Sequence, residues 1–218
     1  MNDLFTNVLT VAVLGYMGVR LVGGARHARS GWGRALTRRI LTNVGWRHVW
    51  PAPILLFVVA SLAFALMSIP GLDWGWWSAL GGDGNPVFGS STSTTGTVWE
   101  WLVPVLFLVL LVPALPLFAH AEERMFRAGA EAWSTRRRVF KVLQFGLAHA
   151  LVGIPLGAAL ALSVGGAYFM WCYLRVWRTD DRPATIESAT IESAAAHTVY
   201  NAMIVAVVAV ALVADAFV

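Results

Sequence analysis

Six runs of mostly apolar residues divide the chain: Leu4 to Val22, Val49 to Ile69, Val98 to Phe118, Val139 to Ile154, Leu156 to Trp177, and Ala194 to Phe217. A helix needs about 20 such residues to cross a bilayer, so the pattern predicts an all-α, polytopic membrane bundle of about six spans. After the first run, Trp32, Leu36, Ile40 and Val44 recur every fourth residue, with Arg34, Arg38 and Arg39 on other faces. That spacing suits an amphipathic helix lying in the headgroup layer. The segment from Pro70 to Thr97 is rich in Gly, Ser and Thr and reads as a flexible loop. Gly153, Gly157, Ala161 and Gly165 put small residues every four positions, which lets membrane helices approach closely. The linker before the sixth run repeats Thr-Ile-Glu-Ser at Thr185 to Ser188 and Thr190 to Ser193. So short a period builds no solenoid, and Ser193 is placed to cap the sixth helix.

Composition agrees with the pattern. Of 218 residues, 58% are hydrophobic and only 13% charged, against about 25% charged in a soluble domain. One integral membrane domain over residues 1–218 is expected. All 16 Lys and Arg residues fall on one side of the six-span arrangement, after the first span, between the third and fourth, and between the fifth and sixth. The positive-inside rule makes that side cytoplasmic, with both termini outside and the chain multi-pass in the cell membrane. The other side carries Asp3, Asp73, Asp83, Glu100 and Asp215 and no basic residue. The net charge of +4 is thus sorted by topology, and no nucleic-acid partner is expected. Trp74, Trp76, Trp77, Trp99 and Trp101 mark the outer interface, and Trp32, Trp46, Trp50, Trp133, Trp171 and Trp177 the inner one. The first run has neither the basic region nor the cleavage motif of a signal peptide, so it is expected to be retained. The lone Cys172 supports neither a disulfide framework nor a cysteine metal cluster and reads as a buried thiol.

Ionisable groups inside a bilayer are costly and are usually paired and functional. At the inner end of the third span, Glu123 and Arg127 stand at i,i+4 as an ion pair, while Glu122 points about 100° away. The fourth span carries Phe145 and His149 one turn apart, with His149 about 12 Å along the helix from Lys141. The sixth carries His197 and Asn201, also one turn apart. All three pairs enter from the cytoplasmic side at comparable depth, so one cavity can hold them. There a carboxylate taken out of water becomes a stronger base, and Asn and His donors can hold a developing oxyanion.

The trio Glu122-Glu123-x-x-x-Arg127, Phe145-x-x-x-His149 and His197-x-x-x-Asn201 resembles the three ordered motifs of the CPBP family, the CAAX-processing and bacteriocin-processing intramembrane endopeptidases also called the Abi family. The resemblance covers residues 118–208. It implies an intramembrane endopeptidase in which Glu122 activates water, His149 is its catalytic partner, and His197 and Asn201 steady the oxyanion. Glu123, Arg127 and Phe145 are the implied supporting residues. No cofactor is implied, and the expected partners are the lipid bilayer and a membrane-associated peptide or protein tail as substrate. Three other readings stay open: zinc held by Glu122, His149 and His197 in a protease of the same site, a non-catalytic immunity or scaffold protein, and haem held between His120, His149 and His197.

Overall fold

The computed structural model describes residues 2–75, 96–179 and 184–215. Most of the Gly, Ser and Thr-rich loop lies outside the described residues, with Trp76, Trp77 and Asp83, as do Arg182 and the end of the sixth apolar run. Among the described residues the chain is all-helical. Its helices are α1 (Asn2–Ala28), α2 (Gly31–Asn43), α3 (Trp46–Val49), α4 (Pro51–Met67), α5 (Trp99–Arg127), α6 (Thr135–Ala148), α7 (Leu156–Thr179) and α8 (Ile186–Asp215). Short 3₁₀ turns follow α5 at Ala130–Ala132 and α6 at His149–Val152. Four helical stretches are long and apolar enough to cross a membrane: Trp46–Met67, Glu100–Ala132, Leu156–Arg178 and Ile186–Ala214.

Central in the packing is α7, which lies against α4, α6 and α8, while α5 joins α1 to α8. Small residues make these approaches possible, as their spacing predicts. A Cβ on Gly157 would stand 3.0 Å from the backbone at Leu66 and Met67. Closer still is the crossing at Gly146 of α6, where a Cβ would meet Ser163 Oγ at 2.3 Å and Ala159 O at 2.4 Å. Around these contacts Leu55, Val59, Phe126, Phe145, Phe169 and Tyr200 form the main apolar core, and Cys172 is buried within it as expected.

Three local expectations change. The run from Val139 to Ile154 is not one helix: α6 closes at Ala148, and the 3₁₀ turn ends at Gly153, whose φ of 94° suits a residue without a Cβ. The linker before the sixth run is itself helical, so α8 begins at Ile186 rather than Ala194. Thr185 caps it, its Oγ1 accepting from the Ser188 N–H at 3.0 Å. Ser193 therefore sits two turns inside the helix and caps nothing. Finally, α2 turns its apolar face to protein rather than lipid. Ser30 caps it by accepting from Gly33 N–H at 3.0 Å, and Leu36 and Ile40 pack on Leu117, Ile191 and Ala194.

One end of the bundle gathers the basic segments. Glu192 of α8, nearly buried, accepts from Asn43 Nδ2 at 2.9 Å, pairs with Arg47 at 2.9 Å and meets Arg175. His48 completes the set. Its Nδ1 accepts from the Gly45 N–H at 3.2 Å, so Nε2 carries the proton that bonds Glu192 at 2.9 Å. Nearby, Arg39 of α2 pairs with Glu187. At the opposite end the start of α7 is tied to the segment after α4: Leu156 N–H donates to Trp74 O at 3.0 Å, and Gly157 N–H to Leu72 O at 2.7 Å.

Candidate active site

Because α5 continues unbroken to Arg127, Glu123 and Arg127 share one face and Glu122 lies a third of a turn away. The consequence is a division of labour between adjacent carboxylates. Glu123 is fully buried, and its Oε1 accepts from Arg127 Nη1 at 2.7 Å and from His197 Nδ1 at 2.8 Å. Its Oε2 accepts from Ser193 Oγ, which also lies 2.8 Å from Phe169 O. Arg127, equally buried, donates to Gly166 O at 3.2 Å, and its guanidinium stands over the rings of Phe145 at 4.5 Å and Phe169 at 5.4 Å. A buried charge pair is tolerable only with such close partnering, although Arg127 Nε is buried without a hydrogen-bond partner.

Glu122 is not partnered in that way. Its side chain is 35% exposed, and Oε2 lies 3.8 Å from His197 Nε2. A carboxylate accepts only, so the Nδ1 of His197 must carry the proton that bonds Glu123, which leaves Nε2 facing Glu122. Phe169 stacks on the imidazole at 4.4 Å and 19°, and Phe145 meets it edge-on at 5.6 Å. The ring is therefore held by two aromatic neighbours and at one nitrogen.

His149 opens the 3₁₀ turn after α6. Its Nδ1 donates to the Phe145 carbonyl at 2.9 Å, so Nε2 is the free nitrogen. Phe145 also supports this ring, at 5.1 Å in a T-shaped contact. Among the described residues His197 and His48, and not His149, come within 4.0 Å of a carboxylate.

Glu122, His149, His197 and Asn201 all line one cavity of about 410 Å³, with Phe145 in its wall. The structure thus brings together the residues singled out from the three motifs, with Glu123 and Arg127 buried behind them. Two contributions escape the motifs. Ser193 anchors Glu123, and its signal was present as the first member of a Ser193, His197, Asn201 series at four-residue spacing. The second is α1, whose Tyr16, Arg20 and Leu21 close one wall of the cavity, with no signal in the sequence. His120 is buried but does not line the cavity, so it is not assembled with His149 and His197. Among the described residues no three His, Cys, Asp or Glu side chains are grouped to share a metal ion, and Glu122, His149 and His197 do not stand as a preformed ligand set.

The fold and site define an all-helical bundle with membrane-length helices and a polar constellation set in a mostly apolar cavity. No family model, no curated protein and no solved structure matches the chain.

Proposed function

We propose that this chain is an intramembrane endopeptidase that cleaves a membrane-associated peptide or protein tail with glutamate-activated water. In this reading α1, 27 residues and about 40 Å long, and α6 with its 3₁₀ turn join the four apolar helices to give six spans. The basic end faces the cytoplasm of the cell membrane, both termini lie outside, and the site opens inward. The observation that carries the reading is that Glu122, His149, His197 and Asn201 share one mostly apolar cavity while buried Glu123 and Arg127 pair with each other behind it.

The chemistry follows from the placement. Glu122, the less buried acid, takes a proton from water as hydroxide adds to the scissile carbonyl. Asn201 and His197 steady the resulting oxyanion. The proton taken by Glu122 is returned by way of the free Nε2 of His149, which accepts it and passes it to the leaving nitrogen as the carbon–nitrogen bond breaks, so that both groups are regenerated and one water is consumed per bond cleaved. The resemblance to the CPBP motifs supports the same roles.

The test compares membrane and secreted peptides from cells carrying the wild type or Glu122→Gln. Peptide pairs joined by one cut, present with the wild type and absent with the variant, support the proposal. Identical peptide inventories, with both proteins inserted at equal levels, refute it in favour of a non-catalytic role.

A further inference from the structure

A second cleft, of about 570 Å³, lies between the end of α1, α2 and α5, outside the site described above. Arg29, Arg34, Thr37, Arg38, Leu41 and Pro113 form most of its lining, and no acidic residue contributes. Arg34 and Arg38 stand at i,i+4 on one face of α2, whereas Arg39 points about 100° away toward α8. That difference sorts the cations. Arg39 and Arg47 pair with Glu187 and Glu192, but Arg29, Arg34 and Arg38 have no carboxylate within 4.0 Å among the described residues. In the same cleft Thr37 Oγ1 is shielded from solvent and has no hydrogen-bond partner.

Part of the lining is apolar. Leu41 is half exposed, and Pro113 precedes Arg124 by 11 residues, which places it about 16 Å further from the basic end along α5. Three guanidinium groups without a carboxylate partner, in one cleft with Ala28, Leu41 and Pro113, complement a molecule with an anionic head and a hydrocarbon tail. Guanidinium forks match phosphate oxygens in pairs, and basic pockets between helices at the inner leaflet suit lipid headgroups.

We infer that the α1–α2–α5 cleft binds the phosphate headgroup of one anionic phospholipid, its acyl chain lying along α5 toward Pro113. The headgroup bridges Arg29, in the turn after α1, to Arg34 and Arg38 of α2. Because α2 also packs on α8, an occupied cleft braces the roof of the bundle. This inference needs the chain to sit in a membrane and is independent of the protease reading.

The test is native mass spectrometry of the full chain in detergent, titrated with dioleoyl phosphatidylglycerol, with dioleoyl phosphatidylcholine, or with inorganic phosphate. One phosphatidylglycerol should be retained in preference to phosphatidylcholine, and Arg34→Gln/Arg38→Gln should weaken it roughly 30-fold, the worth of two surface cations. Arg136→Gln/Arg178→Gln, which removes two exposed cations elsewhere, should leave it unchanged. Equal retention of both lipids, equal weakening by the two double variants, or displacement of the lipid by millimolar inorganic phosphate would each overturn the inference.

Discussion

Replacing Arg127 with leucine removes the guanidinium and leaves Glu123 fully buried with two of its three donors, Ser193 and His197. Breaking a buried pair from one side costs about 3–5 kcal/mol, because a charge is left without compensation. The mirror change, Glu123→Gln, leaves the guanidinium with the Gly166 carbonyl at 3.2 Å and two aromatic faces, so it too is strongly destabilising. The double variant leaves no buried charge. Its cost should therefore fall short of the sum of the singles by about 0.5–3 kcal/mol, the range seen for residues in contact. Ser193→Ala, which deletes one hydrogen bond to a charged acceptor, should cost less than Arg127→Leu, about 1.5–3 kcal/mol. Unfolding in mixed micelles, followed by circular dichroism, measures all four. An Arg127→Leu cost below about 1 kcal/mol, or a double variant equal to the sum of the singles, would refute the reading of Glu123 and Arg127 as one buried unit.

Among the remaining expectations, Glu122→Gln and His149→Ala should abolish cleavage with the fold intact, while Asn201→Ala should slow it about 10²-fold to 10³-fold as one lost oxyanion donor; near wild-type turnover in either of the first two contradicts the assignment. Gly146→Ala drives a methyl into Ser163 Oγ and Ala159 O at 2.3 and 2.4 Å, and should cost about 1–3 kcal/mol by overpacking. Gly157→Ala, at 3.0 Å from its neighbours, should cost less, and the reverse order in a micelle unfolding series would count against the crossing at Gly146. Chelators should leave turnover unchanged, whereas loss on stripping and recovery on adding zinc would replace the glutamate mechanism by a metal-bound water.

Much of the site was legible because ionisable residues are conspicuous among apolar ones. Glu122, His149, His197 and Asn201 lie on three different helices, yet their depths along the apolar runs were enough to place them in one cavity. The buried pair of Glu123 and Arg127 was legible for a simpler reason, since helical geometry alone makes i,i+4 neighbours. Ser193 was missed because a serine in a short polar repeat reads as a cap. The outcome depends on tertiary partners, Glu123 and Phe169, that no local pattern contains. For α2, an apolar face at four-residue spacing looks the same whether lipid or protein covers it, and here Leu36 and Ile40 meet Leu117 and Ile191. The break after Ala148 had one sign, Gly153, which the apolar run around it outweighed. Nor does any periodicity say which distant helix will wall a cavity, so the part played by Tyr16 and Arg20 became visible only in three dimensions.

The position of Arg127 one turn after Glu123 bears on how the protein is made. Glu123 receives Ser193 and His197 from the last helix, and 70 residues separate Glu123 from Ser193. At roughly 5–20 residues per second of synthesis, the nascent α5 waits several seconds for those partners. A lone carboxylate held in lipid for that time would resist insertion. Its salt bridge is internal to α5, so the helix can leave the translocon with the two charges already neutralising each other. The arrival of α8 then adds the serine and the imidazole to a pair that is already formed.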